Sequence, residues 1–480
     1  IACEDELRLN RRTAPELYLR VVPITGTADA PQLEGDGQPI EYAVEMRQFD
    51  PEALLATRVE QGTVDEAVVD ALAERVASFH ASLARDAPGR DIGTVSAREH
   101  AAAAAPDPSP TASPTAVGTA RRNLGEILRL PLDPSLRGRI ERLATWLEGA
   151  AVELGPILSA RERGGFVREC HGDLHLANVA LIDGLPVLFD CLEFDRALRT
   201  IDVIDEVSFA FMDFAAHGRR DLGYRFLNGY LEVTGDYEGV ACLRFFVVHR
   251  ALVRTKVALL RGGQTGLEPG ANARIARELE RVVAVAEDQA APPRPRLVMT
   301  CGLAGSGKTT VSSALAPALG ALRIRSDVER KRMAGLAATA RSDSPIGGGL
   351  YAREGSQQTY ARLESLAQTL LTSGQSVVVD ASFLVRRERD RFRALARRLG
   401  VRTSIVVCEA PDAVLRARVE ARRAAGRDAS EADAAVLEHQ LTFYQPPTTD
   451  EGHAPGEVVV ISTDRRPEDV REACLAFAKR

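Results

Sequence analysis

The chain has 480 residues, of which 45% are hydrophobic and 27% charged, and its formal net charge is −6. A chain this long predicts roughly two to four domains with ample cores, and the mild acidity argues against a broad nucleic-acid-binding face. No run approaches the roughly eighteen consecutive apolar residues of a membrane span, and the start lacks the basic-then-apolar layout of a signal peptide.

The first residues, CEDELRLNRR, enter a helical pattern at once and without an initiator Met, which reads as a chain whose natural start lies upstream. Residues 41–47 (EYAVEMR) put Tyr42, Val44 and Met46 on one side, a strand signal. Over 65–84, Val68, Leu72, Val76, Phe79 and Leu83 recur at helical spacing. Segment 101–118, rich in Ala, Pro, Ser and Thr, cannot build a core and reads as a flexible surface insertion. Residues 185–192 (LPVLFDCL) predict a short apolar strand, and 199–215 and 240–261 predict apolar helices.

Residues 287–296 (EDQAAPPRPR) are Pro-rich and precede the strand LVMTC, so they read as a linker. Beyond it, strands at 297–301, 321–325, 376–380, 403–408 and 457–462 alternate with helical stretches. That alternation predicts a parallel sheet with helices on both faces. The expected organisation is an α+β domain over 1–286 and an α/β domain over 297–480, with the boundary near 292. Seven Cys without a C-x-x-C pair fit a reducing cytoplasm better than a disulfide or zinc framework.

Lysine occurs only at 256, 308, 331 and 479, and Lys308 lies inside GLAGSGKTT at 302–310. Gly302, Gly307, Lys308 and Thr309 complete the pattern G-x-x-x-x-G-K-[ST] between a predicted strand and a predicted helix. The loop residues Gly302, Gly305, Ser306, Gly307, Lys308, Thr309 and Thr310 are therefore expected to bind ATP. Backbone N–H groups and the helix N-terminus would face the phosphates, Lys308 would meet the β/γ oxygens, and Thr309 would offer its hydroxyl to Mg²⁺. Asp380, at the end of SVVVD, is placed to coordinate the same metal ion. Asp327 could accept the proton of an acceptor hydroxyl, and Arg330 or Lys331 could hold an anionic group. A helix cap is the plainer alternative for both acids. Arg416, Arg418, Arg422 and Arg423 could close over ATP, with Arg418 and Arg422 taken as nucleotide-binding.

With SDVERKRMAG, SVVVDASF and the Arg-rich AGRDASEAD, this segment resembles the small P-loop kinases. Gluconate kinase-like proteins, chloramphenicol phosphotransferase, zeta toxins and polynucleotide-kinase-type domains belong to that superfamily. The resemblance covers roughly 295–480. It implies a five-stranded sheet, an Arg-bearing lid and phosphoryl transfer from ATP.

Upstream, CHGDLHLAN at 170–178 sets Asp173 and Asn178 five apart, the spacing of a kinase catalytic loop. Asp173 would accept a hydroxyl proton, Asn178 would hold a metal ion, and Asp190, after the next strand, would be a second metal ligand. His171 and His175 read as loop supports. These residues resemble the aminoglycoside phosphotransferase-like branch of the protein-kinase-like fold. Together with CEDELRLNRR and YAVEMRQFDPEALL, they resemble two-part bacterial proteins in which that domain precedes a P-loop kinase or AAA-type ATPase domain. The resemblance implies a hinge strand at 41–48 near the adenine and a helix at 1–12 that carries the Lys-pairing Glu, Glu4 or Glu6. Yet there is no Lys before 256, so the N-lobe is incomplete: the segment is either a fragment or a degenerate kinase.

The expected function is transfer of the ATP γ-phosphate to a small-molecule hydroxyl, chiefly at the C-terminal site, with ATP and Mg²⁺ as cofactors. A nucleotide-dependent regulatory switch, a toxin-like kinase and a polynucleotide kinase are the alternatives. No nucleic-acid or membrane partner is expected.

Overall fold

The computed structural model describes residues 2–85, 115–264, 268–338, 340, 353–425, 430, 432–451 and 457–479. Of the expected insertion, 101–114 lie outside the described residues, while 115–118 begin the helix Thr115–Arg129. Contacts divide the chain into two compact units, Ile1–Tyr230 with Cys242–Ala291, and Leu231–Ala241 with Pro292–Arg480. Among the described residues no helix is long and apolar enough to cross a membrane.

The first unit opens on the helix Ala2–Asn10 and a three-stranded antiparallel sheet with Tyr18–Thr27 at its centre, flanked by Ala30–Leu33 and Glu41–Met46. Tyr42 and Met46 stay exposed, while Val44 packs against the buried Ala14, Leu17, Tyr18 and Val187. The periodic apolar row of 65–84 forms the helix Glu66–Arg85, with Leu72, Val76 and Phe79 buried. Long helices follow at Pro134–Arg163, Val203–Ala216, Arg220–Thr234, Leu243–Gly262 and Ala271–Ala290.

Three expected boundaries move for local reasons. The strand expected at 185–192 is only Leu185–Leu188, because the backbone turns into a left-handed conformation at Asp190 (φ 61°). The helix expected from 199 begins at Val203, where the Asp202 carboxylate caps it by accepting from the Ile204 N–H; Thr200–Asp202 pairs instead with Val167–Glu169. Residues 287–290 of the expected linker are still helical. They are good helix formers, and the helix stops only ahead of Pro292 and Pro293, whose rings disfavour its continuation.

In the second unit the predicted five-stranded parallel sheet is present. Its order across the sheet is Val458–Ser462, Arg402–Glu409, Arg296–Cys301, Ser376–Asp380, Ala321–Arg325. The first strand in sequence is thus central, with its neighbours drawn from later and widely separated segments. On one face Val311, Leu315 and Ala316 of the helix Lys308–Leu319 pack with Val298, Val378, Val406 and Phe477. The strand order reverses beside Arg296–Cys301, and ligands of open α/β sheets bind outside the carboxyl ends of strands at such a point.

Candidate active site

The loop 302–307 leaves the carboxyl end of that central strand and delivers Lys308 to the start of the next helix. Gly302 has φ 150°, and a Cβ there would lie 2.5 Å from the Cys408 carbonyl oxygen, so no side chain fits. The loop is braced from the last strand: the Thr463 hydroxyl donates to the Ser306 carbonyl at 3.0 Å. Arg418 donates to Thr463 Oγ1 at 2.9 Å, to its carbonyl at 2.7 Å, and to the Gly305 carbonyl at 3.4 Å. Arg418 therefore supports the loop in this structure. Arg422 lies on the same helix, Asp412–Ala425, and Arg416 is paired with Glu438.

Lys308 Nζ donates to the Leu303 carbonyl at 2.8 Å. Burial pushes its ammonium below the usual range, opposed by the charges of Asp380 and Asp327 among others. A phosphate oxygen, being charged, makes a stronger acceptor than that carbonyl. Ser306 Oγ is buried without a hydrogen-bond partner among the described residues. An unsatisfied buried hydroxyl and a lysine held by a neutral acceptor, at a helix N-terminus, fit a nucleotide phosphate.

Asp380 is 5% exposed, accepts from Ser312 Oγ at 2.9 Å, and lies 3.6 Å from Arg325 Nε. The strand register sets Asp380 opposite Arg325. Arg325 and Arg323 both pair with Glu232, at 2.5 and 2.8 Å. Asp327 sits in the first turn of the helix Ser326–Met333, paired with Arg330 at 2.8 Å. It does not cap that helix. Lys331 is buried with Nζ donating to the Ala338 carbonyl at 3.1 Å. The sheet thus gathers Lys308, Thr309, Asp380 and Asp327 at one end. Sequence reasoning missed Ser312, Arg325, Thr463 and Glu232. The acid-adjacent position of Arg325 at a strand end was the one available signal.

In the first unit, the hairpin Val179–Ile182 with Leu185–Leu188 brings Asn178 beside Phe189, whose N–H donates to the Asn178 carbonyl at 3.1 Å. Asn178 Nδ2 donates to the Asp173 carboxylate at 3.1 Å and to its carbonyl at 3.0 Å. Burial pushes the Asp173 carboxyl up, but the hydrogen bond and charge of His175, helped by His171 and Arg250, outweigh it and hold the group at about 2. Asp190 follows one residue after Phe189 and is exposed, its N–H donating to the Tyr18 hydroxyl at 3.0 Å. His175 Nδ1 accepts from the Ala177 N–H, and His171 Nε2 bonds the Phe189 carbonyl at 2.8 Å. Both histidines are loop supports.

His80, Cys170 and Glu206 approach within metal-ligand range. Their atoms are already used: His80 bonds Tyr230 at 2.9 Å and Glu206 at 2.7 Å, and Glu206 accepts from the Gly172 N–H at 2.8 Å. The group anchors the turn before Asp173. Glu6, in the first helix, has no ion-pair partner among the described residues. Burial and the charges of Glu193 and Asp190 push its carboxyl up.

An AAA domain matches residues 297–447, the part of the second unit that holds the P-loop and four of the five parallel strands. The chain as a whole belongs to the family of uncharacterized protein Rv2004c of Mycobacterium tuberculosis (strain ATCC 25618 / H37Rv). The two are 31% identical over 445 residues, covering 91% of this chain and 81% of that protein. Among solved structures, a gluconokinase from Sinorhizobium meliloti 1021 is 22% identical, covering 39% of this chain and 94% of its own, with a TM-score of 0.29. The Mycobacterium tuberculosis APS kinase CysC in complex with AMPPNP and APS is 21% identical, covering 39% and 100%, with a TM-score of 0.29.

Proposed function

We propose that this protein is an ATP-dependent phosphotransferase whose second unit moves the ATP γ-phosphoryl group to a hydroxyl of a small molecule. The observation that carries the reading is the convergence of Lys308, Asp380 and Asp327 at the carboxyl end of one parallel sheet, where the ammonium feels both carboxylates. Lys308 and the N–H groups of the loop hold phosphate oxygens. Thr309 and Asp380 are the residues to hold Mg²⁺, which would neutralise charge on the transferring group. Ser312 keeps the Asp380 carboxylate in place. Asp327 takes the proton of the acceptor hydroxyl as its oxygen attacks the γ-phosphorus, and the bond to the β-phosphate oxygen breaks to release ADP.

Titration calorimetry with ATP and Mg²⁺ tests this reading. Lys308→Ala weakens ATP binding by about a hundredfold or more, since a charge-assisted phosphate contact in a dry site is worth several kcal/mol. An unchanged Kd contradicts it.

A second reading, that the first unit carries its own kinase-like site, is favoured by the Asp173–Asn178 hydrogen bond and by Asp190 at the adjoining hairpin end. There Asp173 would be the base, with Asn178 and Asp190 holding the metal. Glu6 marks where a phosphate-orienting cation would sit.

A further inference from the structure

The strand Ala321–Arg325 is an edge of the parallel sheet. Beside it lies Leu231–Ala241, the stretch of chain before Pro292 that belongs to the second unit. Side chains at alternate positions of a strand share a face, so Arg323 and Arg325 point the same way, and Glu232 receives both. Its Oε2 is 2.8 Å from Arg323 Nη2 and its Oε1 is 2.5 Å from Arg325 Nη1. Two further bonds fix the stretch in place. The Tyr237 hydroxyl donates to the Arg323 carbonyl at 3.3 Å, and Arg332 donates to the Glu232 carbonyl at 2.5 Å. Burial pushes the Glu232 carboxyl up, but Arg323 and Arg325 outweigh it and hold the group below its ordinary value, so it is ionised. The AAA match begins at residue 297 and leaves this acid out.

Arg325 stands between two carboxylates on unequal terms. The register sets it opposite Asp380, yet its Nε stays 3.6 Å from Asp380 Oδ2, beyond a hydrogen bond, while Glu232 takes Nη1. A guanidinium beside a carboxylate otherwise tends to form two parallel N–H···O bonds. Asp380 Oδ2 accepts from Ser312 Oγ at 2.9 Å, and Oδ1 accepts no hydrogen bond among the described residues. Mg²⁺ is held through one or two carboxylates together with phosphate oxygens. A carboxylate closed in a fork with arginine would have to give up those bonds first.

We propose that Glu232 is a positioning residue for the metal site: by holding Arg325 off Asp380, it keeps that carboxylate open to the Mg²⁺ that accompanies ATP. This role rests on the phosphotransferase reading of Asp380. Without the Glu232 charge, Arg325 turns onto Asp380 and closes it. Residues 297–447 alone therefore lack one group on which their metal site depends.

Titration calorimetry of the full chain with ATP, in excess Mg²⁺ and again in EDTA, tests the assignment. In the wild type Mg²⁺ tightens ATP binding. Glu232→Gln, which keeps the shape and removes the charge, weakens binding in Mg²⁺ by about 10–100-fold, the usual cost of losing a group that orients a metal ligand. It does not weaken binding in EDTA, which also shows that the variant is folded. Adding Arg325→Met to Glu232→Gln restores the Mg²⁺ effect, because nothing is left to close Asp380. A merely damaged fold would not recover on losing a second buried charge. An undiminished Mg²⁺ effect in Glu232→Gln, a loss of the same size in EDTA, or no recovery in the double variant overturns the proposal. A wild type whose ATP affinity ignores Mg²⁺ overturns the reading of Asp380 as well, and is told apart because it is seen without any variant.

Discussion

Both units assemble carboxylates and amides suited to holding a metal ion and a nucleophile, but they differ in the cation offered to phosphate. In the second unit, Lys308 is built into the loop itself, and Asp380 and Asp327 lie close enough to act on its charge. In the first, Asn178 bonds Asp173 across a turn, and Asp190 follows the adjoining hairpin with its N–H on Tyr18. Glu6 there meets the acidic Asp190 and Glu193 and no basic partner among the described residues. Phosphoryl transfer rests on positioning and on stabilising charge over the transferring oxygens, which is the part Lys308 is placed to play in the second unit. The proposed function accordingly places phosphoryl transfer in the second unit.

The sharpest way to break this division is Asp327→Asn. It lowers kcat for phosphoryl transfer by about 10²–10⁴, the usual worth of a general base, and leaves the ATP Kd in place. A parallel loss of ATP affinity would make Asp327 a structural residue. Next in size, Glu451→Ala destabilises the second unit by about 3–5 kcal/mol in denaturant titration. It leaves Arg389 without its partner where both side chains are fully buried at 2.6 Å.

Gly172→Ala acts on the first unit alone. At φ 88°, its Cβ would lie 2.9 Å from Arg199 Cβ, and a strained backbone of this kind costs about 1–3 kcal/mol. The melting transition of the first unit falls while ATP affinity holds.

A further effect concerns pH. His249, near 3 in the folded chain against about 6.5 unfolded, contributes stability that is present above about pH 6.5 and lost as pH falls toward 3. Its slope is at most about 1.4 kcal/mol per pH unit. Asp205, which burial pushes up to about 6, works in the opposite sense between about pH 4 and 6. Unfolding measured from pH 7 to 4 should show a shallower acid loss in His249→Leu than in the wild type. Parallel curves would remove His249 from the balance.

The P-loop was legible because its chemistry is contiguous. Glycines, Lys308 and Thr309 occupy consecutive backbone positions whose roles follow from a strand-to-helix turn. The parallel sheet was legible from strand–helix alternation. The braces were not. Thr463 reaches Ser306 and Arg325 reaches Asp380 only because the sheet sets distant strands side by side, an order that no local pattern encodes. Arg418 was visible as an arginine but not as a loop support, since its partners lie 45 and 113 residues away. In the first unit the Asp173–Asn178 spacing was readable. A pocket beside Asp173 draws on residues from 116 to 256, a grouping that no local pattern encodes.

The most direct test of the central claim is incubation with γ-labelled ATP and a cell metabolite extract, comparing wild type, Lys308→Ala and Asp173→Asn. The account predicts that a labelled small molecule forms with the wild type and with Asp173→Asn and disappears with Lys308→Ala. Label that survives Lys308→Ala and vanishes with Asp173→Asn would place the chemistry in the first unit and contradict it.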